Sequence, residues 1–359
     1  MPAFRIDELA IPDSMDTPGS GDFAEMVHVR NAIEAAAYGT DAFAYSPAEL
    51  LPAYQLQEYE PKRVFVARVD GRIVGRAVVE WSPEEDDRTT WAVAEVLPDH
   101  RRRGVGAGLL DLIEAMHAES GRTSIQGYVP HAMSDSGERL VPPTGFGSVP
   151  ADDPGVRFLL AHGYSFEQVA RASSIPLPVH PATLAGLRAD AEAHSGADYR
   201  VVRWLGGTPD EWVADMAALY TAMSTADPHA GLDTTEDRWD EDRLRKYEAK
   251  LLASGRLYLT AAAVHVASGR LAGYTELSVP TDRTRPTSQE DTLVLEEHRG
   301  HRLGMLLKAA NLEFLAAEVP ETPMVFTFNA EENRPMLSVN EAVGFIPIGH
   351  EGAWKKVTR

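Results

Sequence analysis

Two apolar periodicities run through the chain, one of two residues and one of three to four. They predict strands and helices in turn. Residues 64–69, Val-Phe-Val-Ala-Arg-Val, are a run of strand formers. The run stops at Asp70-Gly71 and resumes at Arg72, the pattern of a hairpin. Residues 257–266 lead into Ser268-Gly269-Arg270 in the same way. Further strands are expected at 125–129, 199–202 and 325–329. Residues 23–37 place Met26 and Ile33 at helical spacing. Thr208-Pro209-Asp210-Glu211 opens a helix with a capping hydroxyl, a first-turn proline and two acids. That helix continues through Trp212, Met216, Leu219 and Tyr220, and residues 240–252 form a second, charged one.

Residues 175–181, Ile-Pro-Leu-Pro-Val-His-Pro, fit neither a regular helix nor a central strand. They mark a boundary. The expected division is an N-terminal domain over 1–179, an exposed linker helix within 180–198 and a C-terminal domain over 199–359. Residues 127–154 are rich in Gly, Pro and Ser and are expected to form a long loop, either a substrate-side flap or a plain insertion.

The chain repeats itself. Asp70-Gly71-Arg72-Ile73-Val74-Gly75 returns 198 residues later as Ser268-Gly269-Arg270-Leu271-Ala272-Gly273. At the same offset, Val-Leu-Pro-Asp-His-Arg-Arg-Arg-Gly-Val-Gly-Ala over 96–107 returns as Val-Leu-Glu-Glu-His-Arg-Gly-His-Arg-Leu-Gly-Met over 294–305. A shared offset across hairpin, third strand, turn and helix means a duplicated domain.

The repeated turn carries chemistry. A strand ends, an Arg- and Gly-rich turn follows, and a helix begins. Glycines let backbone approach a ligand, and the helix start offers unpaired N–H groups and a positive dipole end. Arginines add charge-assisted contacts, so the turn suits a pyrophosphate. The candidate contacts are Val96, Arg101, Arg103, Gly104, Val105, Gly106 and Ala107 in the first copy. In the second they are Leu293, Val294, Leu295, Arg299, Gly300, His301, Arg302, Leu303, Gly304 and Met305. A helix start packed tightly on a strand is the plain structural reading of either copy.

Composition narrows the classes. Net charge is −20, which argues against a general nucleic-acid or anionic-membrane binder. An acidic surface favours an amine substrate, although most of this charge reads as solvated surface. The chain has no cysteine, which excludes disulfides, thiolate nucleophiles and cysteine metal sites. No metal-ligand spacing stands out. No apolar run approaches the length of a membrane span, and the first residues do not read as a signal peptide, so a cytoplasmic protein is expected. Oligomerisation stays open.

The Arg-x-x-Gly-x-Gly turn resembles motif A of the GNAT acyltransferase superfamily, which grips the pyrophosphate of acyl-CoA. Asn333-x-x-Met336-x-x-x-Asn340-x-x-x-Gly344-Phe345, after the strand that ends at Asn329, is similar to that family's downstream helix signature. The resemblance covers nearly the whole chain as two tandem GNAT-like domains, similar in arrangement to the mycothiol synthase type, with no residue pointing to that substrate. It implies an α/β fold of α+β mixed-sheet type, with about six or seven strands per domain. It also implies an N-acyltransferase that uses acetyl-CoA or another acyl-CoA on the amine of a small molecule.

By the resemblance, backbone N–H groups of 293–295 or 95–97 polarise the thioester, and Asn329 and Asn333 lie along the cofactor. The family's phenolic acid is replaced by Asn340 in the second half and Leu159 in the first. Asn340 can donate a hydrogen bond to sulfur. Glu276, Glu290 and Asp291 are the carboxylates expected beside the second cleft, and Glu80 and Glu95 their counterparts in the first. Each alone also reads as a solvated surface carboxylate. His100 and His298 read as loop caps. The second half, with the fuller signature, is the expected catalytic half. A non-catalytic CoA-binding sensor or interaction protein, or an acyltransferase using a donor such as aminoacyl-tRNA, are the alternatives.

Overall fold

A computed structural model describes residues 4–84, 87–131 and 137–358. The chain forms two compact units that interleave in sequence. Unit 1 is Met1–Arg171 with His229–Thr235 and Gly349–Arg359; unit 2 is Ala172–Pro228 with Glu236–Ile348.

Unit 1 contains β1 (Arg5–Glu8), α1 (Ser20–Tyr38), α2 (Pro47–Gln55), β2 (Lys62–Val69), β3 (Arg72–Glu80), β4 (Thr89–Val96), α3 (Val105–Ser120) and β5 (Ser124–His131). The short β6 (Arg139–Leu140) and β7 (Val149–Pro150) pair with each other; α4 (Pro154–Ala161) and β8 (Ser165–Pro176) follow. Unit 2 contains α5 (Pro181–Ser195), β9 (Tyr199–Leu205), α6 (Val213–Met223), α7 (Glu241–Ala253), β10 (Leu257–His265), β11 (Arg270–Val279) and β12 (Thr287–Val294). It continues with α8 (Leu303–Glu318), β13 (Met324–Ala330), α9 (Arg334–Val343) and the start of β14 (Ile346–Val357).

The fold class is mixed α/β, as expected. Unit 1's sheet runs β1-β2-β3-β4-β5, then the part of β14 after residue 348 and the first part of β8. Unit 2's sheet runs β9-β10-β11-β12-β13, with the rest of β8 beside β13. Pairing is antiparallel between the hairpin strands but parallel for β4–β5 and β12–β13. The tail strand thus lies between β5 and β8 in the sheet of unit 1, in register with β5 from His350 opposite His131 to Val357 opposite Ser124.

Each hairpin carries a bulge, and the glycine after it is obligatory. A Cβ on Gly75 would stand 2.7 Å from Glu95 O, and one on Gly273 would stand 2.4 Å from Leu293 O. The core of unit 1 lies between its sheet and α3, with Leu109, Ile113, Val156 and Trp354 buried. A second cluster, with Phe23, Met26 and Ile33, lies under α1. The helix over residues 182–193 was expected to be an exposed linker. It is α5, and it packs on α8: Leu184 and Ala191 are buried, and Arg188 bonds Glu313 at 2.7 Å. Leu184, Leu187 and Ala191 recur at helical spacing, which gives the helix an apolar stripe. The expected long loop over 127–154 begins as strand, since β5 runs on to His131; residues 132–136 of it lie outside the described residues.

Candidate active site

In both units the turn after the third strand is built alike. A short 3-10 turn, Pro98–His100 or Glu296–His298, follows the strand. Arg101 Nε donates to Val96 O at 3.0 Å, and Arg299 Nε to Val294 O at 3.2 Å. The two arginines therefore clamp the strand end to the turn. Two left-handed residues come next: Arg102 and Gly104 in unit 1, Gly300 and Arg302 in unit 2. Each copy has one glycine, at opposite places. Arg302 keeps the loop's backbone and sends its side chain to Asp190 on α5. Helices α3 and α8 then start with no side-chain cap, so the first N–H groups, including those of Val105, Gly106 and Ala107, have no capping partner.

Beyond this turn the units diverge. In unit 1, β4 pairs with β5 only over Thr89–Trp91 and then splays away. A cavity of about 940 Å³ fills the splay. It is lined by residues 92–96 of β4, by Arg101, Gly104, Gly106 and Ala107, and by residues 127–130 of β5. The start of α4, Leu159, Tyr164, Trp354 and, from α1, Ile33, Ala36 and Ala37 also line it. Leu97 N–H is bonded to Val74 O. By strand alternation the N–H groups of Val96 and Ala94 point the other way, into the splay. Asp153 caps α4, accepting from Gly155 N at 2.8 Å and Val156 N at 3.2 Å. It does for α4 what Asn333 does for α9, where Met336 N donates at 3.3 Å.

In unit 2, β12 and β13 pair only at Thr287 and Ser288. The residues matching the unit 1 cavity wall differ in size and polarity. Ala107 becomes Met305, Leu110 becomes Lys308, Ile113 becomes Asn311, and the strand register sets Phe328 against Gly127. Lys308 is buried, and Nζ donates to Asn340 Oδ1 at 2.7 Å. Asn340 in turn donates to Asn329 Oδ1 at 2.7 Å. Burial pushes the Lys308 amine down to about 7. Asn340 thus has a partner on each amide atom, the buried Lys308 amine on one side and the half-buried Asn329 on the other. Leu295 N–H is bonded to Ala272 O at 3.0 Å, so Val294, not its two neighbours, turns an N–H toward β13. Gly300 and Gly304 have open space around them, Leu303 is buried, and His301 packs on Tyr199.

The expected carboxylates of unit 2 do come together. Glu276 accepts from Tyr220 OH at 2.6 Å and Thr260 Oγ1 at 3.0 Å, and burial pushes its carboxyl up to about 7. Asp291 lies 3.3 Å from Tyr274 OH and is pushed up to about 6 by burial and by the neighbouring Glu290 charge. Glu290 is exposed on the same strand. In unit 1, Glu95 lines the cavity and is bonded to the buried Arg76 at 2.5 Å, whereas Glu80 is paired with Lys62 at 3.1 Å. Arg103 is exposed on the turn. His298 accepts or donates at Tyr199 OH, 2.9 Å away, and so holds its turn in place. Sequence reading missed Lys308 and Asp153. Only Asp153, placed directly before Pro154, carried a local signal, that of a helix cap.

Known proteins resemble this chain in sequence over one segment and in fold over its length. Residues 60–139, which span the hairpin, β4, the turn, α3 and β5, match the acetyltransferase (GNAT) domain family. No curated protein matches the chain. A tandem GNAT protein from the clavulanic acid biosynthesis pathway is 28% identical, over 99% of this chain and 98% of that one, with a TM-score of 0.73. A GCN5-related N-acetyltransferase from Sphaerobacter thermophilus is 15% identical over 99% and 95%, with a TM-score of 0.61, and shares the fold. A putative acetyltransferase from Pyrococcus horikoshii shares it at 12% identity over 99% and 90%, with a TM-score of 0.51. Residues 60–139 thus carry an acetyltransferase (GNAT) domain, and over its whole length the chain is similar in fold to a protein of two GNAT units in tandem.

Proposed function

We propose that the protein is an acyl-CoA-dependent N-acyltransferase that works in unit 1, on the amine of a small molecule. The cavity between β4 and β5, with the Arg101–Gly106 turn at its rim, carries this reading. It combines an anion-binding helix start with a long slot beside an unpaired strand edge. In this reading the N–H groups of Val105, Gly106 and Ala107, with the Arg101 guanidinium, hold the pyrophosphate. The splayed edge of β4 offers Val96 N–H to the thioester carbonyl, where negative charge grows as the amine attacks. The main contribution is orientation of amine against thioester. Acetyl-CoA is the proposed donor; the 28%-identical relative's structure is described as being without it. In unit 2 the matching wall positions carry larger or polar residues, which favours unit 1.

Acetyl-CoA affinity, measured by calorimetry, tests the assignment. Gly106→Asp sets a repelling charge at the turn and is expected to weaken binding by about tenfold or more. Gly304→Asp is expected to leave it unchanged. The reverse result moves the site to unit 2. Tight binding without thiol release for any amine would favour a CoA sensor, a reading supported by Leu159 at the place of the family's phenol.

A further inference from the structure

The unit 1 cavity is lined from both faces of the sheet. On β3, Ala77 and Val79 face the α3 core, while Val78 packs under α1. The pairing of β3 with β4 carries this alternation across, so Ala92 and Ala94 face α3, and Val93 and Glu95 face α1. On β5, Ile125 and Val129 pack in the α3 core, which turns Gln126, Tyr128 and Pro130 to the α1 face. The turn, α3 and α4 therefore bound the cavity on one face, and Ile33, Ala36 and Ala37 of α1 bound it on the other.

The α1 end is apolar. The side chains of Ile33, Ala36, Ala37, Val93 and Pro130 offer only carbon. Tyr128 adds a ring that is 36% exposed. Trp91 backs that ring, parallel to within 6° at 6.0 Å between centroids. The polar side chains at this end are already engaged. Gln126 donates to Asp233 O at 3.0 Å and accepts from Asp233 N at 2.6 Å. Glu95 is bonded to the buried Arg76 at 2.5 Å. Behind the wall, Glu34 is paired with Arg30 at 2.7 Å, and Glu351 accepts from Tyr38 OH at 2.7 Å.

We propose that the acceptor is an arylalkylamine, whose ring lies on Tyr128 and whose short chain runs past Ala36 and Ala37 to the thioester. The proposal rests on the reading of unit 1 as the acyl-CoA site. A polyamine, amino acid or amino sugar would bring further charges or hydroxyls against this wall. A polar group buried there without a partner costs affinity, whereas an apolar body does not. A ring laid on Tyr128 adds an aromatic contact. In the transfer, the nitrogen bonds to the acyl carbon and the carbon–sulfur bond breaks, its electron pair leaving on sulfur. The ammonium gives up two protons: one ends on the CoA thiol and the other in solvent.

Acetyl-CoA affinity of Gly106→Asp separates two failures. If it is unchanged, the unit 1 reading has failed and this proposal falls with it. Thiol release from acetyl-CoA is then followed with 2-phenylethylamine, spermidine, glucosamine and alanine. Phenylethylamine is expected to have the largest kcat/KM, by about tenfold or more. Ala36 is exposed on α1, so a larger residue fits the fold there. Ala36→Phe should raise KM for phenylethylamine by about tenfold or more at unchanged acetyl-CoA affinity. Tyr128→Ala should raise the same KM by about threefold to tenfold. Tyr128→Phe should leave it unchanged, because the ring and not the hydroxyl makes the contact. The proposal is overturned if one of the three polar amines reacts as well as phenylethylamine, or if either Ala36→Phe or Tyr128→Ala keeps the wild-type KM. It also falls if Tyr128→Phe loses as much as Tyr128→Ala, or if phenylethylamine releases no thiol from a protein that binds acetyl-CoA in unit 1.

Discussion

Gly104 and Arg302 occupy the same left-handed place in two copies of one turn, at φ 85° and 56°. The first copy fills the place with a residue that adopts it freely. The second fills it with one that pays a steric cost of about 1–2 kcal/mol. Arg302 is held there by Asp190, an exposed pair worth little. Gly104→Ala is therefore expected to lower stability by about 1–2 kcal/mol. Arg302→Gly relieves strain while losing the pair, and should change stability by less than about 1 kcal/mol. Urea midpoints for the two variants check this. Equal losses would mean that the two turns do not share one backbone constraint.

The tail strand makes a second expectation. Trp354 is 1% exposed and packs in the core of unit 1, against Phe166 at 4.9 Å between ring centroids. Trp354→Ala should cost about 3–5 kcal/mol, as large-to-small core changes do. The loss should appear in amide exchange of β5, whose partner is β14. Full protection of β5 in the variant would show that unit 1 holds together without this strand.

Much of this was legible locally. The Asp70-Gly71 and Ser268-Gly269 turns, the strand runs before them and the helix starts at 105 and 303 follow from neighbouring residues alone. Their shared offset announced the duplication. The polar groups behind the unit 1 cavity were not legible, because Glu34, Glu95 and Glu351 meet only through tertiary structure. Nothing in residues 349–357 says which unit they complete. Arg302 stands where the first copy has a glycine, and the sequence allows either a side chain near the phosphates or a shifted loop; in the fold Gly300 and Arg302 exchange the places of Arg102 and Gly104. The helix signature around Asn340 suggested the second half as the catalytic one. Its Asn340 is instead spent on a lysine that no periodicity marks as buried.

That lysine sets a pH dependence. Lys308 titrates near 7 in the folded protein because burial disfavours its charge, and near 10.5 when unfolded. Between these values the unfolded chain binds the extra proton, so stability must rise with pH across about 7 to 10. Below 7 both states are charged and the group gives no slope. Lys308→Met keeps the volume and removes the proton site. Wild type should gain on this variant by up to about 1.4 kcal/mol for each pH unit in that window. Denaturation at pH 7, 8 and 9 measures the difference directly. Asn340→Ala supplies the complement, since it strips the buried amine of its acceptor, at about 1–3 kcal/mol. If instead Asn340 assisted thiolate departure, its loss would lower kcat at unchanged stability. A flat difference between wild type and Lys308→Met from pH 7 to 9 would mean that Lys308 stays charged in the folded state, held by more than Asn340.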